Sequence, residues 1–359
     1  MTIQQIIDPA KIESELIQIW EGLAKENKMR ACLFNLIVFN IVSARTDYIR
    51  NIVQKVIDKF PCRVLFISFD PEAPVPYLKT AISVVAPAGG EGGIACDYID
   101  IGVSGPDLQR VPFILLPHLI PDLPISLLWT EDPSQEHPLF VPLSKLAQRI
   151  IFDSESADSL LAFAKTVLAL KSQTNIDIAD LNWARTEGWR DLMASTFDSA
   201  ERCDQLKKIN LVKITYNAVE TPFFCHLKIQ SMYLLAWLSS RLKWTVKKTS
   251  KSFSFEFENG IHGAIEKEEW EKLGPGTVIS VELATSDGHI YKSARIPTQY
   301  HTVDIQISSS LQCELPYQFV LGQTATGQSL VKEIITKGTS HHYLEMLKEL
   351  NQLDRDRLC

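Results

Sequence analysis

The stretch Gly89-Gly90-Glu91-Gly92-Gly93 has a composition that could cradle a phosphate on backbone amides. A dinucleotide fingerprint, however, needs G-x-G-x-x-G between a strand and a helix, so that the helix N-terminus meets the pyrophosphate. Here the spacing differs, and Ile94 to Val103 reads as a strand, so a hairpin loop accounts for the glycines better. There is no Walker A sequence, no G-x-S-x-G elbow and no kinase set. The eight histidines and seven cysteines are scattered, without H-E-x-x-H, H-x-H or C-x-x-C spacing, which gives a metal site no support. No Ser-His-Asp or two-carboxylate arrangement can be assembled from spacing alone. The residues therefore predict no catalytic group, no metal and no cofactor.

Residue types suited to contact, rather than to chemistry, concentrate between Asp180 and Asp198. Trp183, Arg185, Trp189 and Arg190 are of the kinds that dominate binding hot spots, and they are the candidate partner-binding residues. The same tryptophans could instead pack two domains together, since tryptophan is usually well buried. A basic stretch holds Arg241, Lys243, Lys247, Lys248 and Lys251; a solvated face explains it better than a phosphate site.

The elements around these residues follow from hydrophobic period. Asp8-Pro9 reads as an N-cap and first helical residue, with an apolar stripe at Ile12, Leu16, Ile19, Trp20 and Leu23 behind it. The continuous apolar run Cys32 to Val42 predicts a strand buried on both faces. A helical stripe from Thr46 to Phe60 and a strand from Arg63 to Phe69 complete a β-α-β unit. Further strands are predicted at 81–86, 94–103, 125–129 and 149–153, with a helix over 156–171. Alternating strands and helices imply an α/β domain with a mainly parallel sheet over residues 1–172. Residues 173–359 read as a helical connector followed by an α+β domain. Asp177 is expected to cap a helix at 178–185, and Thr186 one at 187–197. The run Phe223 to Leu242 predicts a central buried helix, its His226, Lys228, Gln230 and Ser231 being costly in lipid. From 252 onward the period changes to two, with an Asn259-Gly260 turn, which predicts antiparallel hairpins.

At 359 residues the chain is long for one domain. Its net charge of -7 offers nucleic acid no basic face. The N-terminus lacks the basic and apolar regions of a signal peptide, and the odd, dispersed cysteines suit a reducing compartment, so a cytoplasmic protein is expected.

Four blocks are distinctive: Leu119 to Trp129, Leu146 to Ser154, Asp180 to Asp198, and Tyr233 to Trp244. In this order and spacing the chain resembles the OpcA family of glucose-6-phosphate dehydrogenase assembly proteins, and Arg30 to Phe39 resembles that family's first strand. The resemblance implies a non-catalytic partner or effector of glucose-6-phosphate dehydrogenase, in the oxidative pentose phosphate pathway. The alternative, from the residues themselves, is an enzyme or sensor binding a sugar phosphate or nucleotide at the carboxyl ends of the N-terminal-domain strands. The Gly89–Gly93 loop is the feature expected to separate the two.

Overall fold

The structure, a computed structural model, describes residues 5–87, 93–222, 226–249, 253–322 and 327–353. The chain divides into two units: Met1–Asp153 with Gln173–Leu181 and Thr326–Gly338, and Ser154–Ser172 with Asn182–Ala325 and Thr339–Cys359. Each is built around one large sheet, the first mostly parallel and the second mostly antiparallel.

The first unit begins with β1 (Gln5–Ile7), α1 (Ile12–Ala24), β2 (Met29–Arg30), β3 (Asn35–Ile41), α2 (Thr46–Ile57) and β4 (Arg63–Phe69). It continues with β5 (Leu78–Val85), β6 (Ile94–Val103), α3 (Val111–Leu115), β7 (Ile125–Trp129), α4 (Phe140–Ser144) and β8 (Arg149–Phe152). After α5 (Leu160–Gln173), the chain adds β9 (Asp177–Asp180) to the same sheet. The strand order is β1-β5-β6-β4-β3-β7-β8-β9, with β2 also on β6. The run from β6 to β9 is parallel, with β5 antiparallel at its flank. Counted along the chain, those six strands lie in the order 3-2-1-4-5-6, that of doubly wound dinucleotide-binding folds.

Burial explains the elements. Leu36 to Phe39 and Val64 to Ile67 are fully buried, as strands covered on both faces require. Helix α2 turns Ile49, Ile52, Val53, Val56 and Ile57 inward against Leu36, Val38, Val64 and Phe66. Asp8 caps the first helical turn as expected, its Oδ1 accepting from Ala10 N at 2.9 Å. The expected helix at 178–185 is corrected: Asp177–Asp180 is strand β9, parallel to β8, and the helix starts only at Leu181. Ile178 and Ala179 are buried in that pairing, so tertiary contact overrides the local cap signal.

The second unit follows α6 (Leu181–Arg185) with α7 (Glu187–Thr196), α8 (Ala200–Leu206), β10 (Ile209–Asn217) and α9 (Ile229–Leu242). Next come β11 (Val246–Thr249), β12 (Ser254–Phe257), β13 (His262–Glu268), β14 (Val278–Thr285), β15 (Ile290–Ile296), β16 (Gln299–Ser308) and β17 (Tyr317–Val320). Helix α10 (Gln328–Ile335) belongs to the first unit, where Leu330 and Val331 join the core beneath α2. Gly327 precedes α10 with φ of +87°, and a Cβ there would lie 2.6 Å from Lys55 Cβ, so glycine suits this approach. Helix α11 (His341–Leu353) packs on α9.

The second sheet has the order β11-β12-β13-β10-β14-β15-β16-β17. Its β10–β13 pair is parallel; the other pairings are antiparallel. Helix α9 is buried around most of its girth, as its composition predicts, but its 14 residues begin at Ile229 rather than at 223. No helix among the described residues is long and apolar enough to cross a membrane.

Candidate functional site

Doubly wound sheets keep ligands outside the carboxyl ends of their strands, where the connections diverge to opposite sides. In the first unit that point lies between β3, whose chain continues through α2 to β4, and β7, whose chain continues through α4 to β8. The turn from β3 into α2 reads Val42-Ser43-Ala44-Arg45, with no glycine where a pyrophosphate would need close backbone approach.

This point is occupied by the protein's own groups. Ile41 N–H, at the end of β3, donates to the Glu131 carboxylate at 2.9 Å. The Thr130 hydroxyl lies 3.0 Å from Phe39 O and 3.2 Å from the same carboxylate oxygen. Arg45, at the head of α2, donates to the fully buried Asp153 at the end of β8, at 2.7 Å. The turn amides are used as well: Ser43 N donates to Thr46 Oγ1 at 3.0 Å and Arg45 N to Ser43 Oγ at 3.2 Å. Burial raises the Glu131 carboxyl above its ordinary range, opposed by the hydrogen bond from Ile41 and by Arg45.

Aromatic rings close the rest. Trp129 stacks on Phe39 with centroids 4.3 Å apart, and His137 lies 4.5 Å from Phe39 and 5.4 Å from Trp129. Burial pulls the His137 pKa down to about 4, so the ring is neutral at pH 7. Its Nδ1 accepts from Leu139 N at 3.2 Å, and its Nε2 is buried without a hydrogen bond.

The sequence-predicted contact residues lie elsewhere, in the second unit. Trp189 is 1% exposed, with Arg295 over its ring at 5.6 Å. Burial lowers the Arg295 pKa to about 10, and Nε donates to Val278 O at 2.7 Å. Trp183 is 6% exposed and packs on Tyr343 with centroids 5.6 Å apart. Arg190 also lies over Trp183: its guanidinium carbon is 3.4 Å from the centre of the Trp183 ring. Its Nη1 donates to Trp183 O at 2.7 Å and to Thr186 Oγ1 at 2.6 Å. Thr186 precedes α7 but makes no side-chain cap; its hydroxyl turns back to Trp183 O at 3.0 Å. Arg185 pairs with Glu155 and Asn182. The structure thus brings Trp183 and Arg190 into one contact, places Trp189 in the core, and leaves Arg185 and Arg190 partly exposed. Glu131 and Arg45 are not singled out by sequence, His137 is one of the scattered histidines, and Asp153, near a strand end, reads there as a cap or turn residue. Only the expectation of ligands at strand ends pointed toward them.

No cluster of three or more His, Cys, Asp or Glu among the described residues could hold a metal ion. Of the Gly89–Gly93 loop, residues 89–92 lie outside the described residues, as do Lys251 of the basic stretch, Cys225 and Cys359.

Residues 53–168 match the family described as the glucose-6-phosphate dehydrogenase subunit N-terminal domain, and residues 176–358 its C-terminal domain. The chain belongs to the OpcA family. A relative from Nostoc punctiforme, named "Putative OxPP cycle protein OpcA", is 29% identical over 191 residues, 51% of this chain and 38% of that protein. One of the same name from Synechocystis is 30% identical over 173 residues, 47% of this chain and 33% of that protein. These matches span well under half the length of the curated relatives. Among solved structures, a 3-ketoreductase of Actinomadura kijaniata, complexed with TDP-benzene and NADP, is 8% identical with a TM-score of 0.52. That match covers 89% of this chain and 95% of the reductase, and it shows a shared fold alone.

Proposed function

We propose that this family member is a non-catalytic partner that assembles with and activates glucose-6-phosphate dehydrogenase in the oxidative pentose phosphate pathway, in the cytoplasm. The observation that carries the reading is the filled switch point: Glu131 takes the β3 amide, and Arg45 is held by Asp153. A second anion at that position would meet the Glu131 carboxylate and a turn in which the Val42, Ser43 and Arg45 amides are already bonded. The fold is thus one that commonly serves dinucleotide chemistry, with its ligand position filled by side chains. The family and the names of its relatives supply the partner.

Within the connector, Trp183 and Trp189 set the shape, while Arg185 and Arg190 present charge and planar surface to the dehydrogenase. The test mixes the purified protein with the dehydrogenase of its own organism and follows complex mass and dehydrogenase rate together. A heavier complex with a raised rate is expected. The Arg190→Ala variant should weaken the complex about thirtyfold, as loss of a hot-spot side chain does. Full activation by a folded Arg190→Ala protein would remove that arginine from the interface.

A further inference from the structure

A groove of about 1130 Å³ opens in the second unit, at the carboxyl ends of the parallel pair β10 and β13 and beside the start of α9. Tyr216, Ile265 and Phe253 line it. Tyr216 is 5% exposed, and its hydroxyl makes no hydrogen bond with any described residue. The ring is packed away, but the hydroxyl is not among the buried polar atoms that lack a partner, so it opens to solvent at the groove. Its hydroxyl faces the groove, where an incoming donor or acceptor could meet it.

The rim is acidic. Glu220, Glu266, Glu269 and Glu271 line the groove and are exposed, against Lys228 and Lys267. Lys228 is engaged over the Phe253 ring, its Nζ 3.7 Å from the centroid. Glu266 is paired with Lys213 at 2.7 Å. With Glu266 taken up by Lys213, Glu220, Glu269 and Glu271 face Lys267 and the ring-engaged Lys228, and the remaining negative charge favours a cation. The volume lies above the range of about 300–1,000 Å³ usual for small-molecule pockets. It suits several residues of an extended chain better than one metabolite.

From the open Tyr216 hydroxyl, the apolar floor and the acidic rim, we infer that this groove docks a lysine- or arginine-bearing segment of the dehydrogenase, seating one apolar side chain on Phe253 and Ile265. The inference rests on the proposed partnership. It adds the place of contact and the chemistry of the segment. The apolar side chain covers the floor, its backbone pairs with the Tyr216 hydroxyl, and its basic neighbours meet Glu220, Glu269 and Glu271.

Two probes test it. The first is the dehydrogenase itself, titrated against the wild-type protein, a groove variant (Glu220→Lys with Glu269→Lys), and a charge-matched control (Glu201→Lys with Glu258→Lys). Both control residues are exposed and lie outside the groove lining. The second is a labelled peptide with one leucine between four lysines, followed by fluorescence anisotropy with the same proteins and with Tyr216→Phe. Melting temperatures show that each variant is folded. The expected result is a loss of at least about tenfold in affinity for both probes in the groove variant. The control should bind both probes as wild type does. Tyr216→Phe should bind the peptide about threefold to tenfold more weakly, at unchanged melting temperature. Equal dehydrogenase binding by groove and control variants would overturn the groove while leaving the partnership standing. Failure of the wild-type protein to bind the dehydrogenase would overturn both. Peptide binding that ignores the groove charges would overturn the assigned chemistry.

Discussion

The two units carry parallel strand ends of opposite character. At the ends of β3 and β7, the Ile41 amide is met by Glu131 and Arg45 is held by Asp153. At the ends of β10 and β13, the Tyr216 hydroxyl, bonded to no described residue, opens beneath an acidic rim. The difference teaches that the fold alone does not locate the site. The position where a doubly wound sheet would bind a ligand is here crossed by the protein's own ion pair and hydrogen bonds, while the groove of the second sheet holds a hydroxyl bonded to no described residue. A polar deletion should therefore destabilise the first location and hardly affect the second.

The largest effect should come from Asp153→Asn. It removes the carboxylate that Arg45, whose side chain is 11% exposed, meets at 2.7 Å, and leaves that arginine acted on by Glu131. Breaking a buried pair from one side costs about 3–5 kcal/mol, which denaturant unfolding would register. A loss below about 1 kcal/mol would mean that the switch point is loosely closed.

Next is acid sensitivity through His137. Its pKa in the folded protein is pulled by burial to about 4, below the ordinary 6.5. Between those values the unfolded chain binds more protons, so stability falls as pH drops through that window, and the contribution is fully present above it. A full shift of this kind corresponds to about 3 kcal/mol, less after allowance for partial exposure of the ring. His137→Phe should flatten the stability profile between pH 6.5 and 4. An unchanged slope would mean that the ring titrates normally.

Glu131 gives a smaller effect. Glu131→Ala strands the Ile41 amide and should cost about 1–3 kcal/mol. Glu131→Gln keeps an acceptor and removes a partly buried charge, so it should cost less than the alanine variant. If the two were equal, the carboxylate would not be the feature that fills the position. The smallest effect belongs to the groove: Tyr216→Phe removes a solvent-reached hydroxyl that bonds to no described residue and should change stability by less than about 0.5 kcal/mol.

The fold was legible where period and burial agree. Continuous apolar runs gave β3 and β4, and the change of period beyond residue 252 gave the antiparallel hairpins. Strand β9 was missed because Asp177 carries a cap signal and only the neighbour β8 reveals the pairing; its Oδ2 instead accepts from Gly338 N, far along the chain. The parallel pairing of β10 with β13 was equally hidden, since no local pattern records which strand lies beside which. In the connector, residue type pointed to Trp189 as a contact, but hot-spot composition and core composition are alike for tryptophan, and its 1% exposure places it inside. Glu131 and Arg45 had no signal at all, because a carboxylate two residues past a strand is ordinary until the sheet order puts it against another strand's last amide.

One measurement reaches the central claim most directly. The purified protein, the dehydrogenase, and their mixture are each titrated with NADP, and glucose-6-phosphate oxidation is followed alongside complex mass. The account predicts that the protein alone neither binds NADP nor turns over, that the mixture forms a larger species, and that its rate exceeds that of the dehydrogenase alone. Stoichiometric NADP binding by the protein alone, with no change in mass or rate on mixing, would contradict it.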